Sequence, residues 1–241
     1  MNLSPRQSQI LKAIIEEYIK SAQPVGSVEL VENRRLTVSG ATVRNIMSDL
    51  VRKGYLNMLH VSSGRVPNER AYRYYISELM VEVPISVVEE VSMRQKIWNE
   101  RYEIERLLRN AAQVLSDLTD SLAFAVTDDG YISYTGTSKI LDKPEFFEID
   151  VTKSVLRFVD DYELIKSVIT SHVSDRDVTV LIGREIGLAN MDPVCITAIH
   201  TLLGTHQCFV GVIGPARSNY EKNLPILRYM KTLLSEVGQN L

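Results

Sequence analysis

The segment SGATVRNIMSDLVRKGYLNMLHVSSGRVPNERAY, residues 39–72, changes its hydrophobic period partway along. No other feature limits the fold as much. Up to Gly54 the apolar residues Val43, Ile46, Met47 and Leu50 fall at i, i+3, i+4 and i+7, one face of a helix. Ser39 is a good N-cap for that helix and Gly54 a good stop. Beyond Gly54, YLNMLHV and RVPNERAY read as two short extended pieces around Ser62-Ser63-Gly64, which is a hairpin signal. Upstream, Ser4 and Pro5 open a first helix that carries Ile10, Leu11, Ile14, Ile15, Tyr18 and Ile19 at helical spacing. SAQPVGS breaks it, and Ser27 to Asn33 forms a short second helix. Three helices followed by a hairpin is the plan of a winged helix-turn-helix module.

That plan assigns the outward residues a chemistry. With the apolar face of the third helix turned inward, Ala41, Asn45, Ser48 and Arg52 point outward, flanked by Thr42, Arg44 and Asp49. In a helix-turn-helix the N-terminal part of the second of the two helices enters the major groove. Arg pairs with guanine O6 and N7, and Asn with adenine N6 and N7. Arg44 and Asn45 are therefore the expected base readers. Ser39 and Thr42 are expected to fix the helix on phosphates, where small residues allow the helix end to come close. In the hairpin, His60, Ser62, Ser63 and Arg65 surround one glycine, and such hydroxyls, backbone N–H groups and an Arg bind the DNA backbone. The DNA-contacting set is thus Ser39, Ala41, Thr42, Arg44, Asn45, Ser48, His60, Ser62, Ser63 and Arg65. The competing readings are a solvated amphipathic helix and a generic surface hairpin.

Charge supports a division of labour. Residues 1–80 hold 11 Lys and Arg against 7 Asp and Glu, whereas residues 81–241 hold 16 against 23. A mildly basic head on an acidic body is expected to have two jobs. The body starts, after a break at Pro84, with a long helix expected from Ile85 to Leu122. Its second half carries Ile104, Leu108, Ala111, Leu115, Leu118 and Leu122 at gaps of 4, 3, 4, 3 and 4. This is coiled-coil spacing over less than three heptads, so a dimer seam and a helix packed on its own sheet both remain open. Next come LAFAVTDD and YISYTGT as strands around Asp128-Asp129-Gly130, and a mostly helical stretch to His172. DVTVLIG, VCITAIHTLL and HQCFVGVIGP follow as strands, with a closing helix that contains Pro225. The expectation is an α+β chain: a helix-turn-helix domain over 1–80, a linking helix over 81–120 and a small sheet-containing sensor-type domain over 121–241.

Catalysis is not indicated, and neither a metal nor a cofactor is expected. The histidines His60, His172, His200 and His206 are dispersed, and His200 and His206 are expected to be structural. Asp128-Asp129 and Asp160-Asp161 lack a nucleophile or metal pattern. GVIGPAR lacks the P-loop lysine and the dinucleotide spacing. Cys195 and Cys208 form no CxxC, which favours a reducing compartment. No apolar run approaches the ~18 residues of a membrane span, and MNLSPRQSQI has no apolar core of a signal peptide. A cytoplasmic location is expected.

The segments PVGSVEL, SGATVRNIMSDLVRKGYL and HVSSGRVPNERAYRYYI, in this order, resemble the DNA-binding head of the HrcA family, the heat-inducible transcription repressors of bacteria. The resemblance resumes at GTSKILDKPEF, VLIGREIG and GVIGPARSNY, so it covers nearly the whole chain. It implies a winged-helix head, a GAF-like body, and a homodimer on an inverted-repeat operator upstream of chaperone genes. It also implies a link to the chaperonin GroEL. Family members are longer; the missing part lies between LTDSLAFAV and GTSKILDKPEF, where the family carries body strands and an inserted dimerisation domain. Here Thr127 to Gly136 bridges the gap, which implies a reduced GAF-like body. The seam Ile104–Leu122 is then the candidate dimer contact. Ser218 also replaces the usual Met. Two other readings share the head: a regulator whose body binds a small molecule, and a protein-docking scaffold.

Overall fold

The computed structural model describes residues 3–58, 64–172 and 177–239. The chain divides into two compact units, Met1–Val81 and Glu82–Leu241. His60, Ser62 and Ser63 lie outside the described residues.

The first unit runs α1 (Pro5–Ser21), α2 (Ser27–Arg34), α3 (Gly40–Arg52), β1 (Leu56–Met58), β2 (Arg65–Pro67) and α4 (Glu69–Tyr74), with a π-helical turn at Tyr75–Leu79. Local chemistry sets these bounds. Ser4 and Gln7 close a reciprocal capping box at the start of α1, and Pro5 occupies its first turn. Ala22 then takes a left-handed conformation, as Arg35 does after α2. Ser39 caps α3 by accepting from the Thr42 N–H at 3.2 Å. Ile10, Leu11, Ile14 and Ile15 of α1, Leu30 of α2 and Val43, Met47 and Leu50 of α3 are buried, with Tyr55, Leu56, Tyr72 and Tyr75. β1 and β2 pair antiparallel, with Asn57 opposite Val66.

The arginines and tyrosines of NERAYRYY brace this unit. The Arg70 guanidinium lies 4.6 Å over the Tyr55 ring and donates to the Lys53 carbonyl at 3.0 Å. Tyr74 meets Tyr55 edge-on at 5.6 Å, and its hydroxyl lies 3.0 Å from Ser8 Oγ. Of the piece RVPNERAY that reads as extended, only Arg65–Pro67 is strand; a helix starts at Glu69, capped by Asn68.

The second unit is a five-stranded antiparallel sheet covered by helices on both faces. Its order is β4 (Ile132–Thr135), β3 (Leu122–Thr127), β7 (His206–Pro215), β6 (Val194–Leu203) and β5 (Thr179–Ile182). The period of two along β3 splits the core. Ala123 and Ala125 face α5 (Val87–Asn99), α6 (Ile104–Thr119) and α10 (Tyr220–Gly238). Leu122, Phe124 and Val126 face the side of Phe146, of α8 (Ile149–Asp160) and of α9 (Tyr162–Thr170). α7 (Thr137–Leu141) adds Ile140 to that second layer. Burial on both faces explains why β3 and β7 read as continuous apolar runs. Among the described residues no helix is long and apolar enough to cross a membrane.

One expectation is corrected. The single helix from Ile85 to Leu122 is two helices, and Leu122 already belongs to β3. The chain breaks at Glu100–Glu103, where Glu103 is extended at φ −134° and ψ 107°. A continuous helix of that length would span about 55 Å and carry Met93 and Ile97 far from Leu115. Folding back places all three in one core.

Candidate nucleic-acid interface

The site is best built from the turn between α1 and α2. Val25 and Arg65 form an isolated antiparallel bridge: the Val25 N–H donates to the Arg65 carbonyl at 3.0 Å, and the Arg65 N–H returns to Val25 at 2.9 Å. PVGS and GRVP, forty residues apart, are thus hydrogen-bonded neighbours. Gly64 makes the approach possible. A Cβ there would lie 2.5 Å from the Pro24 carbonyl carbon and 2.6 Å from the Val25 carbonyl carbon. The hairpin is therefore seated on the turn that leads into α2. Arg65 is half-buried at this seat, with its guanidinium 3.4 Å from the Gly64 carbonyl.

α3 presents its other side to solvent. Ser39, Ala41, Thr42, Arg44, Asn45 and Ser48 are all exposed, while Val43, Met47 and Leu50 are buried. Arg44 and Asn45 make no side-chain hydrogen bond to another described residue, so the Arg fork and the Asn amide are available for pairing. Ser39 and Thr42 hydroxyls lie 3.0 Å apart at the helix N-terminus. Ser48 donates back to the Arg44 carbonyl at 3.0 Å, which spends its proton within the helix. Arg52 pairs with Asp49 on the same helix. Gly40 serves packing: a Cβ there would meet Val28 Cγ2 of α2 at 3.2 Å. The α1–α2 angle is held by Glu17, which accepts from Asn33 at 2.9 Å and from Arg34 at 3.0 Å. Burial alone would raise the Glu17 carboxyl. The hydrogen bonds from Asn33 and Arg34, with the Arg34 charge, outweigh burial and hold it below the usual carboxylate range.

The stripe Ile104, Leu108, Ala111, Leu115, Leu118 and Leu122 belongs to the protomer's own interior. Leu108, Ala111, Leu115 and Leu122 are fully buried, and Ile104 and Leu118 pack partly buried against the same core. Leu122 lies on the opposite layer, in β3. A dimer seam made of these six would have to open the core on both sides of the sheet, so of the two readings the spacing left open, the structure adopts the helix packed on its own sheet.

The sheet also assembles a group that sequence reasoning kept apart. Asp128 and Asp129, in the β3–β4 turn, lie 3.5 and 3.4 Å from His206 Nδ1, at the start of β7. The ligand atoms of the three lie within 4.8 Å of one another, a geometry that a divalent metal or a protonated imidazole satisfies. Thr127 donates to Asp129 and, as the main cause, lowers that carboxyl. Beside it, burial pushes the Cys208 thiol up to about 12, and the charges of Asp128 and Asp129 add to the effect. The signal that could have found this group is the β3–β7 register, Thr127 opposite Cys208, and local sequence does not contain it. His200 instead stacks on Phe209, with centroids 4.9 Å apart. A cleft of about 440 Å³ at the α5–α6 turn is lined by Glu100, Arg106, Arg109, Asn110 and Gln113. It lacks the apolar walls of a small-molecule site.

Comparison with known proteins follows the same outline. A relative named heat-inducible transcription repressor HrcA, from Clostridium tetani, is 34% identical over 247 aligned positions, covering 100% of this chain and 66% of that protein. Another of the same name, from Symbiobacterium thermophilum, is 26% identical, covering 98% of this chain and 99% of that one. That alignment runs over 338 positions against a chain of 241, so the relative carries stretches with no counterpart here. A crystal structure of a protein described as hypothetical has the same fold, with a TM-score of 0.74 at 18% identity over 99% of this chain and 98% of that one. The family model described as HrcA protein C terminal domain matches residues 57–224, from the hairpin into α10. A match of that extent, with relatives aligned along the whole chain, means that this chain belongs to the HrcA family, whose curated members are named heat-inducible transcription repressors.

Proposed function

We propose that residues 1–80 are a winged-helix DNA-binding head and that the chain represses transcription as a dimer on an inverted-repeat operator. The observation that carries this reading is the exposed pair Arg44 and Asn45 on the first turns of α3, which make no side-chain hydrogen bond to another described residue, beside a hairpin seated by the Val25–Arg65 bridge. Arg44 and Asn45 read base edges in the major groove. Ser39, Thr42 and the α3 N-terminus take a phosphate, and Ala41 and Ser48 line the approach. Arg65, with His60, Ser62 and Ser63, anchors the hairpin on the backbone. Repression follows from steric exclusion of polymerase. The body, residues 121–241, is a reduced GAF-like domain. Heat lowers operator occupancy by loosening the dimer or the body, and the chaperonin GroEL restores it; the family's naming supports the heat response. The whole pathway is cytoplasmic.

The test is fluorescence anisotropy on a chaperone-operator-type inverted repeat and on a scrambled duplex, across a salt series. The expected preference is ~10³-fold or more, with affinity falling as salt rises. Arg44→Ala is expected to remove about 1–3 kcal/mol of discrimination. Equal, weak binding to both duplexes, unchanged by Arg44→Ala, would leave the head a protein-docking module and end the repressor reading.

A further inference from the structure

The first unit gives way to the second within a few residues, and polar bonds tie the chain on both sides of that join. On the near side the Met80 N–H, just after the π-helical turn, donates to the Tyr75 carbonyl at 2.9 Å. On the far side Glu82 opens the second unit. Its carboxylate accepts both arms of the Arg228 guanidinium, at 2.6 and 3.0 Å. Arg228, in α10, also donates to Asp177, just ahead of β5, at 2.7 Å. Val83 then donates its N–H to the Glu221 carbonyl, also in α10, at 2.9 Å. Val81, 71% exposed, stands between the two ties. Little apolar packing holds this segment, since Val83 is 52% exposed and Pro84 is exposed as well. Packing resumes at Ile85, partly buried against the core, and Ser86 closes the capping box of α5.

We infer that the Glu82–Arg228–Asp177 clamp makes the chain selective for the spacing between the two half-sites of its operator, with Arg228 as the positioning residue. The inference rests on the dimeric operator reading above and names the residues that read spacing. Clamped, the free connection between the units is Val81. Unclamped, it runs from Val81 to Pro84, because Ile85 and Ser86 stay fixed by the core and the α5 cap. Releasing Glu82, Val83 and Pro84 adds about 10 Å of reach to each head, at ~3.3–3.6 Å per residue. One base pair inserted between half-sites moves an arm by roughly 3.4 Å and turns it by about 35°. A head on the short connection cannot follow that displacement without strain. A head on the longer, flexible one can, so both arms stay engaged at several spacings. The clamp depends on Arg228 because two carboxylates, Glu82 and Asp177, converge on its one guanidinium. Without it they repel each other, and the Val83 N–H bond is left to hold the segment against that repulsion.

The test is fluorescence anisotropy of the full chain on inverted repeats whose central spacer is lengthened or shortened by one and two base pairs. The parent is expected to lose ~10-fold or more in affinity per base pair of mis-spacing. Arg228→Ala should flatten that profile to within ~3-fold, and hydrogen exchange should show the Val83 amide losing ~10-fold or more of its protection. Glu82→Ala opens the same clamp from the exposed segment and should reproduce both effects in a body whose urea unfolding matches the parent. Arg94→Ala is the control, since it breaks the Arg94–Glu236 pair, also made to α10 at 2.7 Å and similarly exposed, without touching the join. It should keep the narrow profile. Clamp variants that keep the parent's profile or its Val83 protection overturn the inference and leave the operator reading standing. So does a parent indifferent to spacing, or an Arg94→Ala profile as flat as that of Arg228→Ala, which would mean general loosening of the body. A parent that prefers no repeat over a scrambled duplex ends the operator reading, and this inference with it.

Discussion

Replacing Gly64 by Ala asks whether the hairpin's seat is as tight as its geometry states. The added methyl would sit 2.5 Å from the Pro24 carbonyl carbon, 2.6 Å from its oxygen and 2.6 Å from the Val25 carbonyl carbon. All three are backbone atoms, so no side chain can swing away. Ordinary contact requires about 1 Å of retreat. That retreat moves β2 off Val25 and gives up the two N–H···O bonds at 3.0 and 2.9 Å. Two such bonds contribute roughly 1–3 kcal/mol together, and forcing the methyl in without moving would cost a similar ~1–3 kcal/mol of overpacking. The protein takes one route or the other, so the two do not add, and the expected loss is about 1–3 kcal/mol. Native-state hydrogen exchange of the Val25 and Arg65 amides is the assay, because it reads the bridge without assuming that both units unfold together. Protection at both should fall by roughly 5- to 150-fold, while the Val210 amide in the central strand β7 of the other unit stays as it was. Operator affinity should fall with it, since the hairpin is a DNA-anchoring element in the proposed function. Unchanged protection at Val25 and Arg65 in a folded Gly64→Ala variant would refute the close seating.

Three further outcomes follow from charged and buried groups. Glu17→Gln should cost about 1–3 kcal/mol at pH 7, read by urea unfolding of the head. Because the folded carboxyl is depressed, the native stabilisation is present above its usual value of 4.5 and is lost as pH falls through the lower folded value, so the gap between parent and variant should close in acid and not in base. Glu145→Ala should cost about 3–5 kcal/mol in the body, because the Arg217 fork, bound at 2.5 and 3.1 Å with both side chains only 13% exposed, would lose its counter-charge; a loss under 1 kcal/mol by chemical denaturation would contradict that. Cys208, buried with a thiol pushed up to about 12, should resist iodoacetamide at pH 8 in the native protein and react once denatured. Asp128→Asn should change that little, since burial is the larger cause.

What local pattern determined is specific. Ser4, Pro5 and Ser39 announced their helix starts because a cap is satisfied within three residues. The face of α3 was legible because one face of a helix repeats every three to four residues, so burying Val43, Met47 and Leu50 exposes Arg44, Asn45 and Ser48. The strands around Gly204 were legible because Leu203 and His206 need only a tight turn to pair. What only the tertiary structure decided lies between distant residues. Whether Leu108 and Leu115 meet a second chain or their own sheet depends on the break at Glu100–Glu103, which turns α6 back onto β3; the periodicity is the same in either case. Asp128 and Asp129 reach His206, and Val25 reaches Arg65, through strand pairing that joins residues tens of positions apart. Spacing along the chain encodes which residues share a face. What that face touches is set by the folded partner, and the partner is chosen by the whole core at once.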